Sequence, residues 1–162
     1  ACPDPKIGPF IYGTDGSGFA NLIVGKGGAR PKEQTASLNL SQKTDYPENL
    51  YMDGPEIFNF TIQAVPKAVG QLLSKANMAL EDVDFFVFHQ ANKYRLEHLR
   101  EKIGIPKEKF FIDILDIGNT VSASIPIAIK MAKSRGLFSQ NDQMLMLGFG
   151  VGYSWAGTIC KA

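Results

Sequence analysis

The stretch from Phe85 to Asn92 limits the possible folds of this chain more than any other. Four apolar residues, Phe-Phe-Val-Phe, pass without a linker into His-Gln-Ala-Asn. A short continuous apolar run is typical of a strand buried on both faces, and open α/β sheets hold reactive groups at the carboxyl ends of such strands. The stretch therefore predicts a buried strand that ends at His89, the first candidate for chemistry.

The alternation of apolar periods predicts a layered α/β domain. The expected helices cover 54–77, 91–103 and 124–136, and the expected strands cover 10–12, 22–24, 83–88, 110–114, 143–149 and 153–160. Asp53 or Gly54 is expected to cap the first helix, and Pro66 to kink it. Ser122 or Ser124 is expected to cap the third helix.

We expect one domain over residues 1–162, with one long loop inside it. The segment 29–51 is polar, contains two prolines and has no sustained period. A loop of this length is uncommon in a compact domain and usually serves a function or a partner. The proline-rich first nine residues begin abruptly, as though another segment preceded them.

The bulk composition argues against several classes of protein. The chain has 162 residues, of which 44% are hydrophobic and 20% charged, as in an ordinary globular domain. A net charge of +1 does not favour general binding to nucleic acid or to a membrane surface. No apolar run is long enough to span a bilayer and no leader is evident, so we expect a cytoplasmic protein.

The cysteines and histidines do not indicate a metal site or a disulfide framework. Cys2 and Cys160 lie at opposite ends of the sequence and are expected to be reduced. His89 and His98 have no partnering pattern of cysteines or carboxylates, so no metal is expected. His98 is expected to lie on the exposed side of its helix.

Three polar signals follow three predicted strands. They are His89, Asn119 and the turn Gly150-Val151-Gly152, and the carboxyl ends of parallel strands meet at one edge of a sheet. A neutral imidazole and a carboxamide can both donate to one carbonyl oxygen, and backbone N–H groups of a glycine turn can stabilise a second oxyanion. This set suits acyl transfer or carbon–carbon bond formation at a thioester or an ester.

The sequence supplies no nucleophile for that chemistry. Neither cysteine has a helix that would lower its pKa, and no serine stands in a Gly-x-Ser-x-Gly turn. Each signal also has a simpler interpretation on its own. His89 could be a structural hydrogen-bonding residue, Asn119 a turn residue or a cap, and the glycine turn a plain hairpin connection.

Four motifs in the same order and spacing resemble the C-terminal half of the β-ketoacyl-acyl-carrier-protein synthase III family. They are Met-Asp-Gly-Pro-Glu-Ile-Phe at 52–58, His-Gln-Ala-Asn at 89–92, Gly-Asn-Thr with Ser-Ala-Ser-Ile-Pro at 118–126, and Gly-Phe-Gly-Val-Gly-Tyr-Ser-Trp at 148–155. The turn Asp-Gly-Ser-Gly at 15–18 is also similar. The resemblance covers essentially the whole chain.

The resemblance implies a thiolase-like fold, with this chain as one half of a five-layer αβαβα sandwich that works as a homodimer. It implies an acyltransferase that starts fatty-acid synthesis by condensing an acyl-CoA with malonyl-acyl-carrier protein, without a further cofactor. The family's nucleophilic cysteine belongs to the N-terminal half. The isolated chain is therefore expected to be inactive, with that half, a second subunit, acyl-CoA and acyl carrier protein as its partners.

The resemblance also implies roles for particular residues. His89 and Asn119 would hydrogen-bond the malonyl thioester carbonyl and stabilise the enolate, Phe149 would shape the decarboxylation pocket, and the N–H of Val151 would bind an oxyanion. The residues that would line the pantetheine tunnel are Met52, Gly54, Phe58, Ala91 and Asn92. Val151 stands where the family usually has glycine, and its β-branched side chain narrows the allowed backbone angles.

The helix after His-Gln-Ala-Asn is basic, although Tyr94 stands where the family often has arginine. Carrier proteins are acidic, so Lys93, Arg95, Arg100 and Lys102 are expected to form the docking surface. A plain solvated helix face is the alternative. Two other functions remain open: a related starter condensing enzyme of secondary metabolism, and a non-catalytic module that binds acyl groups or carrier protein.

Overall fold

A computed structural model of the chain describes residues 6–26, 48–150 and 152–162. The described part contains six strands: β1 (Ile7–Thr14), β2 (Leu22–Ile23), β3 (Tyr51–Met52), β4 (Phe85–Phe88), β5 (Gln143–Gly150) and β6 (Ser154–Lys161). It contains three α-helices: α1 (Gly54–Ala76), α2 (Lys93–Ile103) and α3 (Ser124–Ser134). Short 3₁₀ turns cover Gly16–Asn21, Lys107–Lys109 and Val121–Ala123. Cys2, Val151 and most of the predicted 29–51 loop lie outside the described residues.

Four strands form the central sheet in the order β1-β6-β5-β4. β4 and β5 run parallel, whereas β6 is antiparallel to both of its neighbours. β2 and β3 form a separate two-residue ribbon. Since β4 and β5 are parallel, their carboxyl ends lie at the same edge of the sheet, and this edge carries His89.

Side chains on the two faces of β4 enter two different cores. Phe86 and Phe88 pack with residues of α1 and α2, including Leu72 and Leu96. Phe85 and Val87 pack on the other face with Ala128 and Ala132 of α3. All four β4 residues are buried, as the unbroken apolar run predicts. The sheet therefore lies between a layer with α1 and α2 and a layer with α3, which confirms the predicted layered α/β class.

The first helix begins and ends as its sequence predicts. Asp53 is the N-cap, and its side chain accepts a hydrogen bond from the backbone N–H of Glu56. Asn77 ends the helix in the left-handed conformation, with φ of 53°. The helix runs as one element from Gly54 to Ala76, with Pro66 inside it.

The predicted strand over 110–114 is wrong. Phe110 makes one parallel bridge with Phe86, and no further ladder follows. The reason is that the side chain of Gln90 pairs with the adjacent backbone: its Oε1 accepts the Asp113 N–H at 2.9 Å, and its Nε2 donates to the Phe111 carbonyl at 3.3 Å. A side chain thus takes the place of a neighbouring strand.

The predicted serine cap of the third helix is also wrong. Ala123 occupies the N-cap position of α3, with no side-chain hydrogen bond to the helix. Ser124 is the first helical residue, and its hydroxyl faces the β4 end instead.

Candidate active site

His89 is the first residue after β4, and its backbone N–H donates to the Leu147 carbonyl at 2.9 Å. This bond continues the β4–β5 pairing by one residue and fixes the position of the His89 backbone at the sheet edge. Phe149 of β5 meets the ring edge-on, with centroids 5.5 Å apart. The structure therefore brings together two of the predicted site residues.

The other side of the imidazole contacts the start of α3. Nδ1 of His89 lies 2.6 Å from Oγ of Ser124, and the backbone N–H of Gln90 also donates to that oxygen at 3.3 Å. Ser124 is only 3% exposed. The ring is thus held between a buried hydroxyl and an aromatic edge.

Burial lowers the pKa of His89 below the ordinary value of 6.5, and the positive charge of Arg95 lowers it further. A hydrogen bond to the Val121 carbonyl opposes them and raises the pKa. Since the net direction is downward, the ring is neutral at pH 7. A neutral imidazole can donate one N–H to a substrate oxygen.

Asn119 lies on an exposed loop, not at the end of a strand, because the predicted strand before it is absent. Its Oδ1 accepts the backbone N–H of Val121 at 2.9 Å. That bond identifies the oxygen of the carboxamide, since only an oxygen can accept there, and leaves the amide N–H₂ as the free donor. The argument from strand ends therefore holds for His89 and fails for Asn119.

Val121 connects the two candidate groups. Its N–H binds Asn119, and its carbonyl interacts with the His89 ring. Val121 adopts a φ of 53°, a region that a β-branched residue rarely enters. Backbone strain of this kind costs on the order of 1–2 kcal/mol and is concentrated at functional sites.

The predicted tunnel residues lie on two neighbouring elements. Met52 ends β3 and is 62% exposed, and Gly54 begins α1 two residues later. Phe58, half-buried on α1, contacts the first turns of α2: its ring stacks near Tyr94 with centroids 6.1 Å apart. Ala91 and Asn92 lead into the same turn, where Asn92 caps α2 by accepting the Arg95 N–H.

Phe58 also has contacts that the sequence did not predict. His98, expected to be solvated, is half-buried with its ring 5.6 Å from that of Phe58. The guanidinium of Arg95 lies 5.9 Å from the same ring centre. Burial lowers the pKa of Arg95, and its Nε is buried without a hydrogen-bond partner among the described residues.

The four residues predicted for docking differ in their surroundings. Arg100 is paired with Glu97 and Glu101, each at 3.0 Å, and donates to the Ile105 carbonyl. Arg95 is half-buried against Phe58, whereas Lys93 and Lys102 are exposed. Of the four, the two lysines therefore have the freest charges.

No further reactive group accompanies the site in the part of the chain that the structure describes. Cys160 lies on β6, and burial raises the pKa of its thiol, which makes it a poor nucleophile. Within residues 6–26, 48–150 and 152–162, no three metal-binding side chains cluster together. No helix in these ranges has the length and apolarity to cross a membrane.

The sequence does not predict two residues of the site. It predicts that Ser124 caps a helix, because serine before an apolar period usually caps. Val121 carried no signal, because a β-branched residue is not expected in the left-handed region. Both residues lie in the run Gly-Asn-Thr-Val-Ser-Ala-Ser at 118–124. Its many small polar residues are the one sequence signal that points to them.

Comparisons with known proteins agree on one family. Residues 73–162 match the family model described as 3-oxoacyl-[acyl-carrier-protein] synthase III C terminal. The β-ketoacyl-[acyl-carrier-protein] synthase III of Clostridium tetani is 35% identical over 151 residues, which cover 92% of this chain and 45% of that protein. The chain thus spans about half the length of the curated relatives it matches.

Solved structures give the same result. The crystal structure of 3-oxoacyl-(acyl-carrier protein) synthase from Burkholderia xenovorans LB400 matches with a TM-score of 0.81 and 45% identity, over 94% of this chain and 43% of that one. The priming β-ketosynthase of the R1128 polyketide pathway matches with a TM-score of 0.81 and 30% identity, over 98% and 45%. The chain therefore belongs to the 3-oxoacyl-acyl-carrier-protein synthase III family of thiolase-fold condensing enzymes, and corresponds to its C-terminal part.

Proposed function

We propose that this chain is the C-terminal catalytic half of a 3-oxoacyl-acyl-carrier-protein synthase III. The enzyme would join an acyl-CoA starter to malonyl-acyl-carrier protein by decarboxylative condensation and so begin fatty-acid synthesis. The observation that carries the proposal is the link through Val121, which joins a neutral imidazole to a carboxamide with free N–H groups. In the proposed complex, both groups donate to one thioester oxygen.

The proposed chemistry needs stabilisation of negative charge on that oxygen. The bond between the malonyl carboxylate and the α-carbon breaks, CO₂ leaves, and the electron pair moves into the thioester as an enolate. N–H donors from His89 and Asn119 stabilise the enolate oxygen. The α-carbon then attacks the starter acyl group, and the thiolate that held this group leaves. Phe149, edge-on to His89, provides an apolar wall that favours loss of the charged carboxylate as neutral CO₂.

The nucleophile that holds the starter would come from residues outside this chain. Cys160 is unsuitable because its pKa is raised and it lies within β6. One face of the sheet is also partly uncovered: Phe10 and Tyr12 of β1 stack on the face opposite the buried Ile11, and Tyr12 is 75% exposed. An apolar face of this kind supports packing against a second layer, as an N-terminal half in a homodimeric enzyme would provide.

The test uses the full-length enzyme that contains this chain. His89→Ala and Asn119→Ala should each lower condensation by about 10²–10³-fold, the usual cost of losing one oxyanion donor. Transfer of the starter to the cysteine should continue, as measured by mass spectrometry of the acylated enzyme. Ser122→Ala, an exposed neighbour, is the control. Normal condensation by His89→Ala or by Asn119→Ala would refute the catalytic role of that residue.

A starter condensing enzyme of secondary metabolism is the second candidate. The similarity to the R1128 priming β-ketosynthase favours it. Assays of the full-length enzyme with a series of acyl-CoA starters would separate the two functions. A preference for acetyl-CoA supports the fatty-acid function, and a preference for a longer or unusual starter supports the alternative.

A further inference from the structure

Ser124 occupies an unusual place for a residue at the start of a helix. Its hydroxyl is buried and makes no capping bond to α3. Two groups from the β4 end contact its oxygen instead: the Gln90 backbone N–H and Nδ1 of His89. No other hydrogen-bond partner of this hydroxyl occurs among the described residues.

The donors and acceptors at the Ser124 hydroxyl distinguish the two neutral tautomers of the imidazole. A serine hydroxyl has one hydrogen and two lone pairs, and the Gln90 N–H occupies one lone pair. If the ring proton were on Nδ1, that proton would occupy the second lone pair of the hydroxyl oxygen. The hydroxyl hydrogen would then be buried without an acceptor. If Nδ1 carries no proton, the hydroxyl donates to it, and every group is satisfied.

We propose that Ser124 is a positioning residue that holds His89 in the tautomer with its proton on Nε2. The Ser124 hydroxyl donates to Nδ1, and the Gln90 N–H holds the hydroxyl oxygen in place. The opposite ring nitrogen then always presents an N–H. Only the catalytic role of this tautomer rests on the proposed function, in which an N–H at Nε2 donates to the enolate oxygen. The tautomer itself can be observed without any reaction.

The first measurement uses the full-length enzyme that contains this chain, labelled with ¹⁵N-histidine. Comparison with a His89→Gln variant identifies the signals of His89. Two-bond ¹H–¹⁵N correlations above pH 7 distinguish the tautomers. We expect the Nε2–H form in the wild-type chain. An Nδ1–H form would overturn the proposal.

Variants at two serines test the cause. Ser124→Ala should lower the ratio of Nε2–H to Nδ1–H by about fivefold or more, the factor for one lost hydrogen bond. Ser122→Ala should leave the ratio unchanged, and Ser124→Thr should retain it because it keeps the hydroxyl. An unchanged ratio in Ser124→Ala would overturn the role of Ser124. If that variant fails to fold, the wild-type spectrum still decides between the tautomers.

Kinetics of the full-length enzyme test the consequence. Ser124→Ala should lower kcat for malonyl decarboxylation about tenfold and leave KM for the malonyl thioester within twofold, because one lost bond alters donor geometry but not substrate binding. Ser124→Thr should restore kcat. An Nε2–H tautomer in an enzyme without condensation activity would refute the proposed function and leave the tautomer assignment intact. An active wild-type enzyme with an Nδ1–H ring would refute only the role of Ser124.

Discussion

The backbone N–H of Val121 donates to Oδ1 of Asn119 over 2.9 Å, and Val121 makes this bond from a left-handed conformation with φ of 53°. The bond orients the carboxamide, and the conformation also brings the Val121 carbonyl to the His89 ring. A strained residue therefore links the two proposed donors.

Val121→Gly should stabilise the chain. Glycine adopts a positive φ without the steric cost that valine has there, and the valine side chain is 69% exposed, so little packing is lost. Allowing for the greater entropy of glycine in the unfolded state, we expect a gain of about 0.5–1 kcal/mol in the free energy of unfolding. Urea denaturation measures it.

Val121→Ala is the matched control for this change, because alanine retains a Cβ and gains less. A loss of stability in Val121→Gly, with an unchanged denaturant slope, would show that the Val121 conformation is not strained.

Gln90→Ala should destabilise the chain strongly. The side chain of Gln90 is buried and bonds the Phe88 and Phe111 carbonyls and the Asp113 N–H. Removing it leaves those backbone groups without partners, which we expect to cost about 2–4 kcal/mol in unfolding free energy. Gln63→Ala, at an exposed position of α1, should change stability by less than about 0.5 kcal/mol.

Hydrogen exchange gives a local measure of the same change. The Asp113 amide should lose protection from exchange in Gln90→Ala. The amides of β5 should lose only as much protection as the lower free energy of global unfolding accounts for. Equal protection of Asp113 in both chains would contradict the pairing.

The stability of the chain should rise with pH as His89 loses its proton. The folded pKa of His89 lies below 6.5, so between that pKa and about pH 6.5 the unfolded chain binds more protons than the folded one. The contribution is fully present above about pH 6.5 and is lost as the pH falls through the folded pKa. His89→Gln should flatten this part of the curve of unfolding free energy against pH.

Arg95→Gln should raise the pKa of His89, because it removes the positive charge that disfavours the imidazolium. An NMR titration of His89 measures the pKa directly. Lys102→Gln, on an exposed position of the same helix, is the control. A lower pKa in Arg95→Gln would mean that the arginine acts on His89 in some other way than through its charge.

Docking of carrier protein should depend on the exposed lysines rather than on Arg100. In the full-length enzyme, Lys93→Glu should raise KM for malonyl-acyl-carrier protein severalfold, with a stronger effect at low salt, since exposed charges steer association. Arg100→Ala should instead lower stability, because it leaves Glu97 and the Ile105 carbonyl without their partner.

Lys102→Glu tests the extent of the surface. Lys102 is nine residues from Lys93, which at roughly 100° per residue places the two on opposite sides of α2. We therefore expect Lys102→Glu to affect KM less than Lys93→Glu. Equal effects of Arg100→Ala and Lys93→Glu on KM would support one continuous docking surface.

The sequence predicts those parts of the fold in which apolar period and burial coincide. The β4 run and the position of His89 after it are confirmed, because four consecutive buried residues leave little alternative to a central strand. The 110–114 strand is wrong because a carboxamide side chain satisfies the backbone there, and residue type alone does not show where a side chain will bond. Val151, predicted to supply an oxyanion donor, lies outside the described residues and stays a prediction.

The site is less predictable than the fold for a related reason. The capping rule assigns Ser124 to its own helix, but its hydroxyl bonds an element 35 residues away in sequence. The basic character of α2 is evident from its lysines and arginines. The ion pairing of Arg100 with two glutamates depends on side-chain geometry, which the sequence does not show.

The pairing of Gln90 with Phe111 and Asp113 has a consequence for motion. Beyond Phe111, whose N–H donates to the Phe86 carbonyl, this segment is held by the Gln90 side chain and by the ion pair between Asp113 and Arg135 rather than by a ladder of backbone bonds. Breaking those few bonds opens the segment without separating β4 from β5, at a free energy below that of global unfolding. The amides of residues 112–119 should therefore exchange with solvent at a lower free energy than those of β4 and β5.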